Sequence, residues 1–166
     1  MNLHIKTIIL ISFVIVCSLL FAQKTSYYKI KAKKGDASSQ MFLGLCFEGG
    51  KGCEKNMDSA FYWYKRAAKS GLAEAQVLLG NCYREGKGCQ KDSVQALQWY
   101  QTAAWCESSL GLDAMGDVYY YGIGTERDVI RARYYYNKAA NKGNKKSKQK
   151  YTQIRYEKQD AIPKEF

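Results

Sequence analysis

Leu79-Gly80-Asn81-Cys82-Tyr83-Arg84-Glu85-Gly86-Lys87-Gly88-Cys89-Gln90-Lys91-Asp92 is the stretch on which the reading of this chain turns. The same pattern stands 36 residues earlier as Leu43-Gly44-Leu45-Cys46-Phe47-Glu48-Gly49-Gly50-Lys51-Gly52-Cys53-Glu54-Lys55-Asn56. It stands 36 residues later as Met115-Gly116-Asp117-Val118-Tyr119-Tyr120-Tyr121-Gly122-Ile123-Gly124-Thr125-Glu126-Arg127-Asp128. The register continues without a gap through Ala60, Ala96 and Ala132, then Trp63, Trp99 and Tyr135, then Ala67, Ala103 and Ala139. Self-similarity at a fixed period of this length marks a solenoid of stacked units.

Within each unit the apolar positions recur at helical spacing, as in Ala75, Leu78, Leu79 and Cys82. Helix A is predicted over about 37–48, 73–85 and 109–121, stopped by the Gly-x-Gly segment, since glycine takes the positive φ of a helix terminus. Helix B is predicted to begin at Asn56, Asp92 and Asp128, whose side chains accept hydrogen bonds from free backbone N–H groups. Gln95 would complete a capping box on Asp92. Gly71 and Gly143 close helix B, whereas Glu107 stands at that position in the second unit and predicts a differently shaped turn. The aromatic residues of helix B are expected to fill the gaps between units. The fold expected is all-α, an α/α superhelical solenoid of three 36-residue helix-turn-helix repeats over 37–72, 73–108 and 109–143. Half-repeats cover the exposed ends. Residues 23–36 supply an N-terminal capping helix, in which Tyr27, Tyr28, Ala32 and Gly35 align with Trp63, Tyr64, Ala68 and Gly71. Residues 144–166 supply a polar capping helix, in which Tyr151 and Ile154 take the Leu79 and Cys82 positions, followed by a disordered tail around Pro163.

Residues 1–22 stand apart. Lys6 precedes an apolar run from Thr7 to Phe21, followed by Ala22, the pattern of a secretory signal peptide. The run is shorter than the roughly 18–20 residues a spanning helix needs, so no transmembrane domain is expected after cleavage; an uncleaved anchor is the alternative. Lipidation at Cys17 is disfavoured by Val16, where a small residue is needed. Export to the periplasm or beyond a bacterial cell is the expected location, and it changes the reading of the cysteines, because oxidising compartments let disulfides persist.

Cys46, Cys53, Cys82 and Cys89 occupy matching repeat positions and allow three pairings. Equivalent positions in neighbouring repeats are separated by a helix-packing distance of roughly 8–10 Å, beyond the Cα limit of about 7 Å for a disulfide. The crossed pairing would fold one repeat back over the other. Cys46–Cys53 and Cys82–Cys89 remain, each stapling a helix end across its own loop. In the third repeat both positions change together, to Val118 and Thr125. The alternative is that the four pack as small apolar side chains. Cys106 has no counterpart and is expected to be a buried, inert thiol, with an intermolecular bridge as the other reading. Seven-residue cysteine steps do not match the tighter spacing of structural zinc sites, and no metal or cofactor is expected.

The recurring pattern Ala-x-x-x-Leu-Gly-x-x-Tyr-x-x-Gly-x-Gly, an Asp, then Ala-x-x-Trp-Tyr-x-x-Ala-Ala-x-x-Gly resembles the Sel-1-like repeat, a branch of the tetratricopeptide-repeat superfamily. The second repeat fits through Ala75, Leu79, Gly80, Tyr83, Gly86, Gly88, Asp92, Ala96, Trp99, Tyr100, Ala103 and Ala104. The resemblance implies an adaptor that holds other proteins together, and for bacterial secreted members a role at the cell envelope or in host contact. One departure stands out: Cys53 and Cys89 replace the valine usual after Gly-x-Gly. Cysteine-rich secreted relatives from a stomach bacterium carry disulfide-bearing repeats and a weak penicillin-hydrolysing activity. Their cysteines lie at the junction between repeats, so that activity transfers poorly.

Chemistry is sparse. The single histidine, His4, lies in the leader, which removes Ser–His and Cys–His activation. Ser26-Tyr27-Tyr28-Lys29 has the Ser-x-x-Lys spacing of penicillin-recognising enzymes but no Lys-Thr-Gly or Ser-Asp-Asn partner. Gly50-Lys51-Gly52 and Gly86-Lys87-Gly88 lack the rest of a P-loop. The sequence argues against an enzyme and for a scaffold that binds a protein or peptide. Helix A positions that vary between repeats are free for recognition: Leu45, Asn81 and Asp117, then Glu48, Arg84 and Tyr120, with Tyr121 adding aromatic surface of the kind favoured at binding hot spots. In tetratricopeptide-like superhelices helix A lines the concave face, so these residues are expected to form a stripe along a groove. The net charge of +11 raises an alternative. Lys138 to Lys158 holds eight basic residues and one acidic one, Glu157, and Lys142, Lys145, Lys146, Lys148 and Lys150 form a basic patch for an anionic lipid surface or an acidic partner. Nucleic acid is disfavoured, since no fold-level motif accompanies the charge.

Overall fold

Alanine-rich, evenly spaced apolar positions with glycine stops leave this chain little to form except short helices, and the helices stack in the order they occur. The structure, a computed structural model, describes residues 3–160, with side chains over 8–13, 15–16 and 23–154. The described helices are α1 (Leu3–Lys33), α2 (Ala37–Gly49), α3 (Met57–Lys69), α4 (Ala73–Glu85), α5 (Ser93–Trp105), α6 (Ser109–Tyr121), α7 (Val129–Asn141) and α8 (Lys145–Asp160). Among the described residues there is no strand. Each helix packs on the next. α4 also packs on α6, whereas α5 and α7 do not meet to that extent. In the second and third repeats the A helices thus lie closer to one another than the B helices do.

The helix ends repeat atom for atom. Gly50, Gly86 and Gly122 close α2, α4 and α6 in the left-handed region, at φ 66°, 72° and 70°. Their N–H groups donate to the carbonyls of Cys46, Cys82 and Val118, which would otherwise be orphaned at a helix end. The loop then returns, and the N–H groups of Asn56, Asp92 and Asp128 donate to Phe47, Tyr83 and Tyr119 at 2.8–2.9 Å. Those three residues are the N-caps of α3, α5 and α7. Asp92 accepts from the backbone N–H of Gln95, the first half of the capping box.

The core is a column of small and aromatic side chains. Ala60, Ala96, Ala132, Ala67, Ala103 and Ala139 are fully buried. Tyr64, Tyr100 and Tyr136 are buried beside Gly44, Gly80 and Gly116 of the facing helix A, where an added Cβ would run into the ring, 2.5 Å from it at Gly80. Each ring lies against the helix A glycine of its own unit, and the tyrosines also join the core shared with the next unit, Tyr64 with Ala75, Leu79 and Cys82 and Tyr100 with Ala114, Met115 and Val118. Trp99 and Tyr135 pack against the core shared with the preceding unit. The aromatic residues of helix B thus fill the gaps between units, as expected, and the tyrosines in addition occupy the room that glycine on helix A leaves inside the hairpin.

The turn at Glu107 differs from its counterparts in part, and the expectation for Cys106 is corrected. Glu107 takes the same left-handed conformation as Gly71 and Gly143, at φ 53° against 86° and 88°, but the bond by which Leu72 and Asn144 donate to Ala67 and Ala139 in the other turns has no counterpart from Ser108 to Ala103 among the described residues. The Glu107 N–H donates to Ala104, as Gly71 and Gly143 donate to Ala68 and Ala140. Its side chain is held by Lys138 and Lys142 at 3.3 and 2.5 Å, which draws its carboxyl below the ordinary range. Cys106 is exposed, not buried, because the turn carrying Trp105, Cys106 and Glu107 faces away from the core.

The end caps are built differently. α1 runs unbroken through the boundary expected at residue 22, and Ile8 to Phe13, Ile15 and Val16 lie exposed along it. Downstream, Ala32 is fully buried and Tyr28 meets Phe42 at 4.0 Å between ring centroids. At the far end Ile154 is 3% exposed and Tyr151 half-buried. The tail around Pro163 lies outside the described residues.

Candidate binding groove and the cysteine pairs

The buried tyrosines carry their hydroxyls out to the helix A side, and each donates to a residue that varies between repeats. Tyr64 donates to Glu48 at 2.6 Å, Tyr100 to Asn81 at 2.8 Å and Tyr136 to Asp117 at 2.7 Å. Burial first, and the hydrogen bond to a carboxylate second, push the Tyr64 and Tyr136 phenols far up. Burial alone is the main cause at Tyr100, pushed up to about 12. These hydroxyls are fixed donors, and the acceptor identity sets the charge of the surface above them.

That surface is a ladder of charges running from helix to helix. Lys87 lies 2.6 Å from Glu85 and 3.9 Å from Glu48, joining the first two repeats. Arg84 pairs with Glu85. Lys150 of α8 lies 2.7 Å from Asp117 and 3.1 Å from Asp113, and Ser147 donates to Asp113 at 2.7 Å. At that end Tyr120, Tyr121, Tyr136, Lys150, Gln153 and Ile154 line a cavity of about 80 Å³. Tyr121 is 67% exposed and Leu45 43%. Tyr120 stands edge-on to Tyr121, under the Arg127 guanidinium.

Of the residues singled out from sequence, Glu48, Asn81 and Asp117 come together on the tyrosine ladder, Tyr120 and Tyr121 share the end cavity, and Leu45 lies exposed on α2. What sequence reasoning missed is that Asn81 and Asp117 are already hydrogen-bonded from below. The signal was the invariant Tyr64, Tyr100 and Tyr136, whose hydroxyls needed partners. The basic patch also divides. Lys142 is engaged with Glu107 and Lys150 with Asp113 and Asp117, while Lys145, Lys146 and Lys148 are exposed.

Cys46, Cys53, Cys82, Cys89 and Cys106 are thiols in this structure. Cys46 and Cys82 are 4% and 3% exposed, and Cys53 and Cys89 half-buried. Lys51 N–H on the Cys46 carbonyl and Asn56 N–H on Phe47 bracket Cys53 and fold its loop back over the helix end that bears Cys46. Lys87 and Asp92 do the same for Cys89 over Cys82. Burial pushes the Cys82 thiol up to about 12, with Cys89 the next cause, and Cys46 likewise raises Cys53 after burial. Among the described residues no group of three or more His, Cys, Asp or Glu is placed to hold a metal, and no helix is long and apolar enough to cross a membrane.

Hairpins of two helices stacked in register define an α/α solenoid of the tetratricopeptide-like kind. The Sel1 repeat family model matches residues 37–72, 73–104 and 109–144, and the chain belongs to the Sel1 repeat family. A protective antigen of uropathogenic Escherichia coli, c5321, with an SLR fold, is 36% identical with a TM-score of 0.72, covering 76% of this chain and 27% of its own. A Sel1 repeat protein from Oxalobacter formigenes is 35% identical with a TM-score of 0.70, covering 78% and 54%. Helicobacter pylori cysteine rich protein B shares the fold at 21% identity and a TM-score of 0.61, covering 76% of this chain and 93% of its own. This chain thus spans about a quarter and about half of the first two. No curated protein matches its sequence. Sel1 repeats mediate protein–protein interaction and the proteins built from them are generally scaffolds.

Proposed function

We propose that this chain is an exported, non-enzymatic scaffold that binds a protein or peptide along the A helices, α2, α4 and α6. The observation that carries the reading is the tyrosine ladder: a constant donor in every repeat meets Asn81 and Asp117 at one helix A position in the second and third repeats, and in the first, where that position is Leu45, it meets Glu48 three residues further on. A fold-keeping residue supports a different surface group in each unit, which is how a solenoid varies recognition without altering its core. Leu45, Arg84, Tyr120 and Tyr121 surround that ladder. The test is a peptide selected by display against the whole chain. Arg84→Ala and Tyr120→Ala should each weaken it at least tenfold, about 1.4 kcal/mol; binding left intact by both would remove the groove.

Export is supported by the apolar residues Ile8 to Ile11 and Phe13 on α1, which lie exposed. In an oxidising compartment Cys46–Cys53 and Cys82–Cys89 would close as staples. Intact mass of the exported chain, alkylated without reductant, checks both: a start after Ala22, four protected thiols and one alkylated thiol is the expected result. Five alkylated thiols would remove the staples. The alternative partner is an anionic lipid surface contacting Lys145, Lys146 and Lys148. That binding would fall steeply between low and physiological salt, and a peptide held in the groove would not share that dependence.

A further inference from the structure

Each cysteine pair has an inner and an outer sulfur, and the outer one has a lysine beside it. Lys29 of α1 lines a cavity of about 260 Å³ together with Cys53, Ser26, Phe47 and Trp63. Lys65 of α3 stands 36 residues on from Lys29, as Cys89 does from Cys53. The loop bearing Cys89 is pressed onto the turn of α3 that holds Met57 and Phe61, where a Cβ on Gly88 would strike the Met57 carbonyl and lie 2.9 Å from Phe61. The Lys65 ammonium sits 5.6 Å from the Phe61 ring on that same face. In the third repeat the two cysteines are Val118 and Thr125, and the lysine position is Gln101. Lysine and cysteine pair are present together twice and absent together once.

We propose that Cys53 and Cys89 are the entry points for small thiols and disulfides bearing a carboxylate, such as cystine, with Lys29 and Lys65 as positioning residues and Cys46 and Cys82 as the resolving thiols. In the oxidising direction the outer thiolate attacks one sulfur of the small disulfide. An outer–sulfur mixed disulfide forms, and one small thiolate leaves and takes a proton from water. The inner thiol loses its proton to water and attacks the outer sulfur, expelling the second small thiol. Two protein thiols and one disulfide become one protein disulfide and two thiols. The order is set by access. The thiolate is the nucleophile; burial and then Cys46 raise Cys53, burial and then Asp92 raise Cys89, and Lys29 and Lys65 oppose that rise. Cys46 and Cys82 are enclosed by helix packing, at 4% and 3% exposure, while Cys53 and Cys89 are half-buried. The cavity beside Cys53 gives the small partner room, and an ammonium beside the sulfur matches its carboxylate.

The site rests on the cysteine pairing above but fails separately from it, because it concerns which sulfur reacts and not whether the native chain is bonded. The test uses the full chain in a Cys106→Ser background, reduced, then exposed to cystine and mapped by peptide mass. Cys46→Ser and Cys82→Ser strand the outer thiols; Cys53→Ser and Cys89→Ser strand the inner ones. Outer thiols should form adducts at least about tenfold faster than inner ones. Lys29→Ala and Lys65→Ala should slow cystine several-fold more than they slow the uncharged reagent iodoacetamide, and Lys29→Arg should restore the rate. Equal inner and outer rates, or lysine variants without a cystine-specific effect, would overturn the proposal. A gain-of-site variant, Gln101→Lys with Val118→Cys and Thr125→Cys, should create a third cystine-reactive pair in the repeat that lacks one. Unchanged melting of the lysine variants checks that the fold is intact.

Discussion

Repeats 1 and 2 each carry a cysteine pair and a buried glutamine, with a lysine facing the pair from the preceding unit; repeat 3 carries Val118, Thr125 and Leu112 at those positions, and the facing residue of the unit before it is Gln101. The backbone scarcely notices. The glycine cap, the carbonyl it satisfies and the return bond from the next N-cap are the same in all three. Val118 fills the inner cysteine position at 0% exposure. The fold is therefore held by what the repeats share, the alanines, the glycine–tyrosine contact and the caps, and the cysteines are an addition to a loop that closes without them. Gln40 and Gln76 add to the contrast. Each amide donates to a carbonyl of the preceding helix, Ala32 at 3.1 Å and Ala68 at 3.3 Å. Among the described residues their Oε1 atoms have no hydrogen-bond partner.

The sharpest way to break the comparison is to attack what is shared. Gly80→Ala or Gly116→Ala drives a methyl into the Tyr100 or Tyr136 ring, and each should cost about 3 kcal/mol by overpacking, read from urea unfolding of the whole chain. A much smaller loss would mean that the tyrosine has another place to go. The cysteines come next. If the staples form, each closes a loop of about eight residues and stabilises by roughly 2.5 kcal/mol, so reduction should lower the stability of the wild type and leave Cys46→Ser/Cys82→Ser unmoved. Equal response of both chains to reductant would place the bonds elsewhere or nowhere.

The tyrosine ladder should show a graded effect. Tyr64→Phe and Tyr136→Phe give up bonds to carboxylates and should cost about 1.5 kcal/mol, while Tyr100→Phe gives up a neutral acceptor and should cost about 1 kcal/mol. The same phenols predict an alkaline limit. A folded-state value raised above the ordinary 10 means that the stabilisation is complete below pH 10 and is lost as pH rises. For Tyr100 the loss should run from about pH 10 to about 12, with Tyr64 and Tyr136 holding their protons beyond it. Absorbance of phenolate against pH, recorded alongside melting, checks this: ionisation of all tyrosines near pH 10 without unfolding would contradict the burial. The smallest effect belongs to Gln76→Leu, which copies repeat 3. Ala68 keeps the Gly71 N–H on its carbonyl, so the change should fall within about 1 kcal/mol of neutral and lean to stabilising, because the unpartnered oxygen is removed. A loss of several kcal/mol would show that the glutamine does something Leu112 cannot.

The repeat period, the glycine stops, the N-caps at Asn56, Asp92 and Asp128 and the buried alanines were all legible in the chain, because each follows from local backbone chemistry or from a spacing that three copies reveal. That the tyrosines also occupy the hairpin interior was not, since Trp99 and Tyr100 are adjacent in sequence and only the packing of α4 against α5 brings the Tyr100 ring onto Gly80. The ion pairs of Glu107 with Lys142 and Lys138 join its turn to the next repeat and were not legible either. Among the candidate groove residues, variation between repeats singled out Glu48, Asn81 and Asp117, but not that a tyrosine hydroxyl stands beneath each or that Lys150 reaches Asp117 from the last helix. Sequence determined every element whose cause lies within a turn or two of the backbone. Contacts between side chains some 20 to 37 residues apart were decided by tertiary structure, because the stacking of one hairpin on another sets which polar groups meet.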